Sequence, residues 1–269
     1  DLGTWTIKST KGGDSATQDV AITRLTVEYV TIVYRITPEF AYTGDYEIVD
    51  DSDNPISDFA SWKNNWKIRF LTSGTLTFTK LNGWNGQLDV FLVGGGGNGE
   101  TIRGARGGGG GYTKTVKGVS IAIATPYTIT IGASSGTTSA FGASANGASG
   151  ANGGSGGGGG GSSSGTPGNG GSNGGNGTAG NVSQGGAGQG RTTREFGEST
   201  GKLYSGGGGG SAAGAGAAGD STAGAGANFG GAAKNGVANT GGGGGAAYSG
   251  TAGRGGSGIV IARNARRAA

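Results

Sequence analysis

The side chains of this 269-residue chain that could do chemistry are few in kind: 16 Asp and Glu, 20 Lys and Arg, 8 Tyr and the hydroxyls of Ser and Thr, with no Cys, no His and no Met. Without imidazole or thiol, Ser-His-Asp and Cys-His catalysis are excluded, and so are His and Cys metal ligands. Disulfides are excluded too, and the redox state of the compartment leaves no trace. Three short motifs invite the chemistry that remains. Asp51-Ser52-Asp53-Asn54 opens like a calcium loop, but Pro55 stands where a third oxygen ligand belongs and no Glu follows at the right spacing, so it reads as a solvated turn. Gly197-Glu198-Ser199-Thr200-Gly201-Lys202-Leu203 is one residue short of a phosphate loop and carries Leu203 where a hydroxyl should hold magnesium. Gly214-Ala215-Gly216-Ala217-Ala218-Gly219 matches the dinucleotide fingerprint, yet no strand precedes it and no helix follows. In a chain with 69 glycines such matches arise by chance. The sequence therefore implies no catalytic residues, no metal, no cofactor and no enzyme.

The elements that would position any site come from two differently built parts. Seven of the first 90 residues are Gly, against 62 of the remaining 179. Residues 1–100 hold 13 acidic and 8 basic side chains, a net of −5, and residues 101–269 hold 3 and 12, a net of +9. Those cations are sparse and no nucleic-acid motif accompanies them, so nucleic acid is not an expected partner. Arg263, Arg266 and Arg267 read as a basic end serving solubility or docking. No apolar run approaches the ~20 residues a membrane span needs, and no signal-like start is seen, so no membrane insertion is expected. The chain begins at Asp1 without methionine, which suggests processing or a piece of a longer product.

The first part reads as β-structure, with β-branched and aromatic residues clustered between Gly, Pro, Asn and Asp. Strands are predicted over 4–9, 20–36, 42–49, 66–72, 76–80 and 88–93, then over 112–116, 119–124 and 127–131, with a last strand over 258–263. In Leu76-Thr77-Phe78-Thr79 the alternation has the period of a sheet buried on one face. No amphipathic helix is evident. If the strand at Ile259 pairs with the one at Leu88, both ends of the glycine-rich segment are fixed to one sheet.

Between Gly147 and Gly180 every third residue is Gly, Ser162 excepted. Polyproline-II geometry has three residues per turn and rises ~3.1 Å per residue, so this register clears one edge of a rod for a neighbouring backbone. Collagen would need far more proline than Pro167 alone. Such a helix has no internal hydrogen bonds, and only an array of neighbours satisfies its amides. Ordering costs about 1–2 kcal/mol per residue; a net hydrogen bond returns about 1 kcal/mol, and each Cα–H···O contact about 0.5–1 kcal/mol. A single rod fails and an array breaks even. The unbroken runs opening at Gly94, Gly107, Gly156, Gly206 and Gly241 (94–97, 107–111, 156–161, 206–210 and 241–245) are assigned to interior rods, with turns at 162–167, 191–205 and 234–240. The opposing reading is a flexible Gly/Ser linker, against which stand the three-residue register and the returning strand.

Aromatic rings do not fit inside a glycine array. Tyr112, Tyr127 and Phe141 are therefore expected to lid the array near the sheet. Phe196, Tyr204, Phe229 and Tyr248 are candidates either for a lid or for contact with a partner. Residues 191–205 form the longest glycine-poor insertion, and a loop held on a regular scaffold is a sound binding tip. Arg194, Glu195, Phe196, Tyr204, Phe229 and Tyr248 are the candidate contact residues. The predicted fold class is mostly β: a β-sandwich-like domain over 1–75, for attachment or assembly, then a glycine-rich domain over 76–269, a β-sheet-anchored bundle of polyglycine-II helices.

Lys67 to Phe78, Leu88 to Val93 running into Gly94, Tyr127 to Gly132, the loop from Thr192 to Gly210 and the closing Gly255 to Ile261 together resemble glycine-rich tail-fibre and tail-tip proteins of bacteriophages. The resemblance implies a virion tail protein, assembled in the host cytoplasm and working outside it. Its partners would be other tail proteins or copies of itself, and a bacterial surface protein or polysaccharide met by the end loops. A self-associating fibre subunit is the alternative, with ice binding by flat rod faces behind it. A glycine-rich extracellular module of certain receptor tyrosine kinases looks similar as well, so rods alone do not dictate adhesion.

Overall fold

The computed structural model describes residues 4–11, 14–21, 38–56, 65–102, 104–160, 166–171, 177–178, 193–212, 214–228 and 230–265. Twelve strands are described: β1 (Thr4–Lys11), β2 (Asp14–Ala21), β3 (Glu39–Tyr42), β4 (Tyr46–Val49), β5 (Lys67–Phe70), β6 (Gly74–Lys80), β7 (Gln87–Val93), β8 (Thr113–Ser120), β9 (Pro126–Ile129), β10 (Thr138–Ala140), β11 (Ala143–Ala145) and β12 (Ile259–Asn264). β1 and β2 form an antiparallel pair. The strand predicted over 20–36 falls mostly on 22–37, outside the described residues, as do Phe229, Arg266 and Arg267.

Two antiparallel sheets organise the centre, one ordered β4-β5-β12-β7-β8 and the other β3-β6-β9. Period-two alternation sorts the side chains. Ile68 and Phe70, Leu88, Val90 and Leu92, and Val260 and Ala262 turn to one face of the five-stranded sheet, where they join Leu76, Phe78 and Ile129 of the second sheet in one buried core. Trp66 closes that core edge-on to Trp84 at 5.3 Å. Both sheets take strands from either side of residue 75, so the division drawn there between two domains runs through a shared core.

Three strand predictions differ in detail. Residues 43–45 split the segment 42–49, because the chain crosses from one sheet to the other there. Residues 112–124 give one strand, β8, since a bulge opposite Leu88 to Val90 absorbs the break and Gly118 takes φ +67° within it. The hairpin β10-β11 was not foreseen. Its strands are Thr, Ser and Ala, and its turn, Phe141-Gly142, has positive φ at both residues, as a two-residue type I′ turn needs.

β12 pairs antiparallel with both β7 and β5, so Val93 and Ile259 stand opposite each other and the glycine-rich segment leaves and re-enters one sheet. Within that segment the backbone hydrogen bonds step by three. Gly107 donates to Gly158 and Gly110 to Ser155; Gly108 donates to Gly244 and Gly111 to Gly241. Gly94 and Gly97 donate to Tyr112 and Gly109, and Gly96 and Gly99 to Gly256 and Gly253. Parallel neighbours show the same step: Gly243 and Ala246 donate to Gly206 and Gly209, Gly244 and Ala247 to Gly97 and Glu100. A β-ladder repeats every two residues instead. The runs 94–97, 107–111, 156–160, 206–210 and 241–245 are all buried. A Cβ at Gly107 would land on the carbonyl oxygen of Gly208, one at Gly96 on that of Gly242, and one at Gly156 on that of Gly168. Asn239 ties this segment to the sheet, donating through Nδ2 to the carbonyls of Leu71 and Gly258.

Candidate functional site

The second face of the five-stranded sheet carries the densest charge among the described residues. Its cross-strand rows follow from register. Val49, Lys67, Arg263 and Asp89 form one row, and Glu47, Arg69, Ile261 and Phe91 the next. A cation in the middle of a sheet needs a partner, because burying an unpaired charge is costly. Arg263 meets Asp89 at 3.4 Å, with both side chains buried, and Glu198 at 2.6 Å. Lys67 Nζ lies 2.6 Å from Asp53 and 3.2 Å from Glu195; Arg69 lies 2.5 Å from Asp53 and 3.2 Å from Glu47.

Glu47 and Asp89 lie on β4 and β7, and two loops supply the other carboxylates. In the first, Asp50 Oδ1 accepts from the backbone amides of Ser52 and Asn54, forming an Asx-type turn that throws Asp53, at φ +65°, over β5. In the second, residues 193–205, the Glu195 backbone amide donates to the Lys202 carbonyl, and Arg194 donates to the Gly201 carbonyl at 3.0 Å. This loop sits on the apolar row: Phe91 packs against Phe196 at 6.0 Å and Tyr204 at 5.4 Å, and Val93, Ile259 and Ile261 complete the cluster. The Arg263 guanidinium lies 3.9 Å above the Phe196 ring, a cation–π contact that also shields the ion pair from water.

Between the loops opens a cleft of about 530 Å³, with Lys67, Glu195 and Arg263 in its wall and Asp51, Thr200 and Lys202 at its rim. Burial pushes the Asp53 carboxyl up, but hydrogen bonds from Lys67 and then Arg69 outweigh it, so the group is held below its ordinary value. Burial first, and then the Glu195 charge, raises the Tyr204 phenol far above its usual range, so it stays protonated. No group of three or more acidic side chains is placed to hold a metal ion among the described residues. Among the same residues no helix is long and apolar enough to cross a membrane.

Several candidate contact residues lie where a partner cannot touch them. Glu195, Phe196 and Tyr204 are 4%, 3% and 1% exposed, because the sheet underneath supplies both an apolar row and cations for them. Arg194 and Tyr248 are half-buried, and Phe229 lies outside the described residues. Arg263, read as part of a solvated basic end, is a buried strand residue paired across the sheet. The exposed part of the loop is Glu198, Ser199, Thr200 and Lys202. Sequence reasoning passed over Lys67, Arg69 and Asp89; the one available signal was charge at alternate positions in Lys67-Ile68-Arg69-Phe70.

The fold and its site thus define an antiparallel β protein in which two neighbouring strands of one sheet bracket a glycine-rich segment whose five runs are buried where described, with a loop of that segment folded back over the sheet. Residues 71–265 match a family model described as a glycine-rich domain, and the chain belongs to that family. Comparison with curated proteins and with solved structures gives no match.

Proposed function

We propose that this protein is a non-enzymatic structural component of a bacteriophage tail fibre or tail tip, whose glycine segment is a bundle of polyglycine-II helices holding loops toward a bacterial surface protein or polysaccharide. The observation that carries the reading is the three-residue step of the hydrogen bonds, shared by antiparallel and parallel neighbours. It is the step that a left-handed three-fold backbone requires. The glycines of the runs 94–97, 107–111 and 241–245 are buried with no room for a Cβ, so the array cannot slide or repack easily. Its ends are fixed by β7 and β12. Such a body suits holding loops still, and the exposed rim Glu198 to Lys202 beside Asp51 and Ser52 is the surface offered. Polar, charged loop residues on a rigid support are favourable for recognition because little is lost in ordering them.

The resemblance to phage tail proteins supplies the biological setting. Purified, labelled chain incubated with a panel of bacterial strains tests it: saturable binding to some strains, reduced by substitutions at Glu198, Thr200 and Lys202, supports the reading. Absence of binding to every strain by a folded chain removes the adhesin role. A self-associating fibre subunit would instead form polymers with rising concentration in size-exclusion chromatography. Edge strand β8 argues against open-ended pairing, for it carries exposed Lys114 and Lys117 and the Gly118 bulge, features that block strand addition.

A further inference from the structure

One cluster on the second sheet face brings a lysine amine, two carboxylates and a guanidinium together. Lys67 Nζ touches Asp53 Oδ1 at 2.6 Å and Glu195 Oε1 at 3.2 Å, and the Lys67 and Glu195 side chains are each 6% exposed. A second cation, Arg69, contacts the same Asp53 oxygen at 2.5 Å. Phe196 and Tyr204, both buried, flank the site on the loop that delivers Glu195. A lysine amine, a carboxyl carbon one bond away from the atom it touches, and a second carboxylate within reach of the amine are the parts needed to form an amide.

We propose that Lys67 and Asp53 condense into an intramolecular amide, with Glu195 as the catalytic proton carrier. Glu195 takes a proton from the Lys67 ammonium, leaving a lone pair on Nζ. That lone pair attacks Cγ of Asp53, forming the N–C bond and placing negative charge on Oδ1. The Arg69 guanidinium, already on Oδ1, stabilises that charge as an oxyanion donor does. Glu195 passes its proton to Oδ2, and a second proton follows from the nitrogen by the same route. The Cγ–Oδ2 bond breaks and water leaves. Nitrogen has given up two protons, both carried away on the departing oxygen. Glu195 ends as the carboxylate it began as. One positive and one negative charge have become a neutral amide, so net charge is unchanged and no oxidant or cofactor enters.

Two physical effects drive the step. Nζ and the carboxyl are held in contact by β5 and the Asp50 turn, which converts a bimolecular reaction into an intramolecular one of high effective molarity. The product also removes the buried ammonium of Lys67, whose side chain is 6% exposed, and leaves a polar but uncharged group in its place. Arg69 favours the ionised form of Asp53, so protonation of the leaving oxygen must come within the step, which is the task given to Glu195. The new bond would fasten the loop over 50–55 to β5 and fix one wall of the cleft. This inference stands on the geometry of the cluster and does not depend on the tail-fibre reading.

Mass spectrometry of the purified full chain tests it. The folded wild-type protein is expected to be lighter than its sequence by one water, and digestion should yield a branched peptide joining Lys67 to Asp53. Lys67→Arg should restore the full mass. Glu195→Gln should slow the loss by about 10²-fold or more, the usual contribution of a positioned acid–base group. Asp53→Asn should lose ammonia in place of water. Circular dichroism of each variant confirms that the sheet is intact. Full mass in folded wild-type protein after prolonged incubation overturns the proposal. So does a water loss that maps to a cyclic imide within residues 51–54 with Lys67 free. Amide formation at an unchanged rate in Glu195→Gln overturns the role given to Glu195.

Discussion

Gly243 and Gly214 separate what glycine does in this chain from how much of it there is. A Cβ at Gly243 would collide with the Gly108 carbonyl, whereas at Gly214 nothing lies within 4 Å. Gly243→Ala should therefore destabilise the protein by about 3 kcal/mol or more, the upper range for overpacking against an unyielding backbone. Gly214→Ala should be neutral or stabilising by about 0.5 kcal/mol through the unfolded chain. Denaturant titration of the two variants checks the contrast, and equal effects would contradict it. Tyr42 gives a pH dependence at the same scale. Burial, and then the neighbouring Asp45 charge, pushes its phenol up to about 12, and the hydroxyl donates to the Thr72 carbonyl. The folded value lies above the unfolded 10.0, so the contribution is complete below pH 10 and is lost as pH rises from 10 toward 12. Melting temperature should fall across that window in wild type and fall less in Tyr42→Phe. At this scale the sequence was a poor guide to Phe196 and Tyr204. Their burial depends on Phe91, which lies on a strand more than a hundred residues earlier, and local spacing does not report that.

β12 is the element on which the two parts of the molecule depend. It lies between β5 and β7, sends Val260 and Ala262 into the core between the sheets, and sends Ile259 and Ile261 under the loop over 193–205. Its role was legible, because Ile259-Val260-Ile261 is an apolar β-branched run after a long glycine-rich stretch and has few other places to pair. The charge that ends it was not legible, since Asp89 and Arg263 become opposite residues only through register. Arg263→Ala removes the guanidinium that faces the buried Asp89 carboxylate, which keeps the Gly118 amide, and should cost about 3 kcal/mol. Arg263→Lys should recover only part of that loss, because the compact ammonium cannot face Asp89, Glu198 and the Phe196 ring together. Thermal denaturation of the two variants checks the order. The β10-β11 hairpin stayed hidden for the opposite reason: small residues give almost no strand signal, and its turn is recognised from backbone angles.

For the whole molecule, the glycine segment is the departure from ordinary folding. Among the described residues the hydrophobic core clusters lie in the paired sheets, the β10-β11 hairpin and the loop above the sheet. Beyond it, order comes from amides satisfying one another at a three-residue step, with glycine required wherever two backbones approach. The five unbroken runs marked in the sequence where backbones approach closely, while part of the three-residue register over 147–180 lies outside the described residues. Which run lies beside which could not be read, because one glycine run is chemically like another and only the flanking strands set the order. Amide hydrogen exchange on the intact chain measures this most directly. Cooperative ordering predicts that the amides of residues 107–111 and 241–245 exchange as slowly as those of β7 and β12, within one protected unit. Exchange of those glycine amides at the rate of a short unstructured peptide, while β7 and β12 remain protected, would contradict the account.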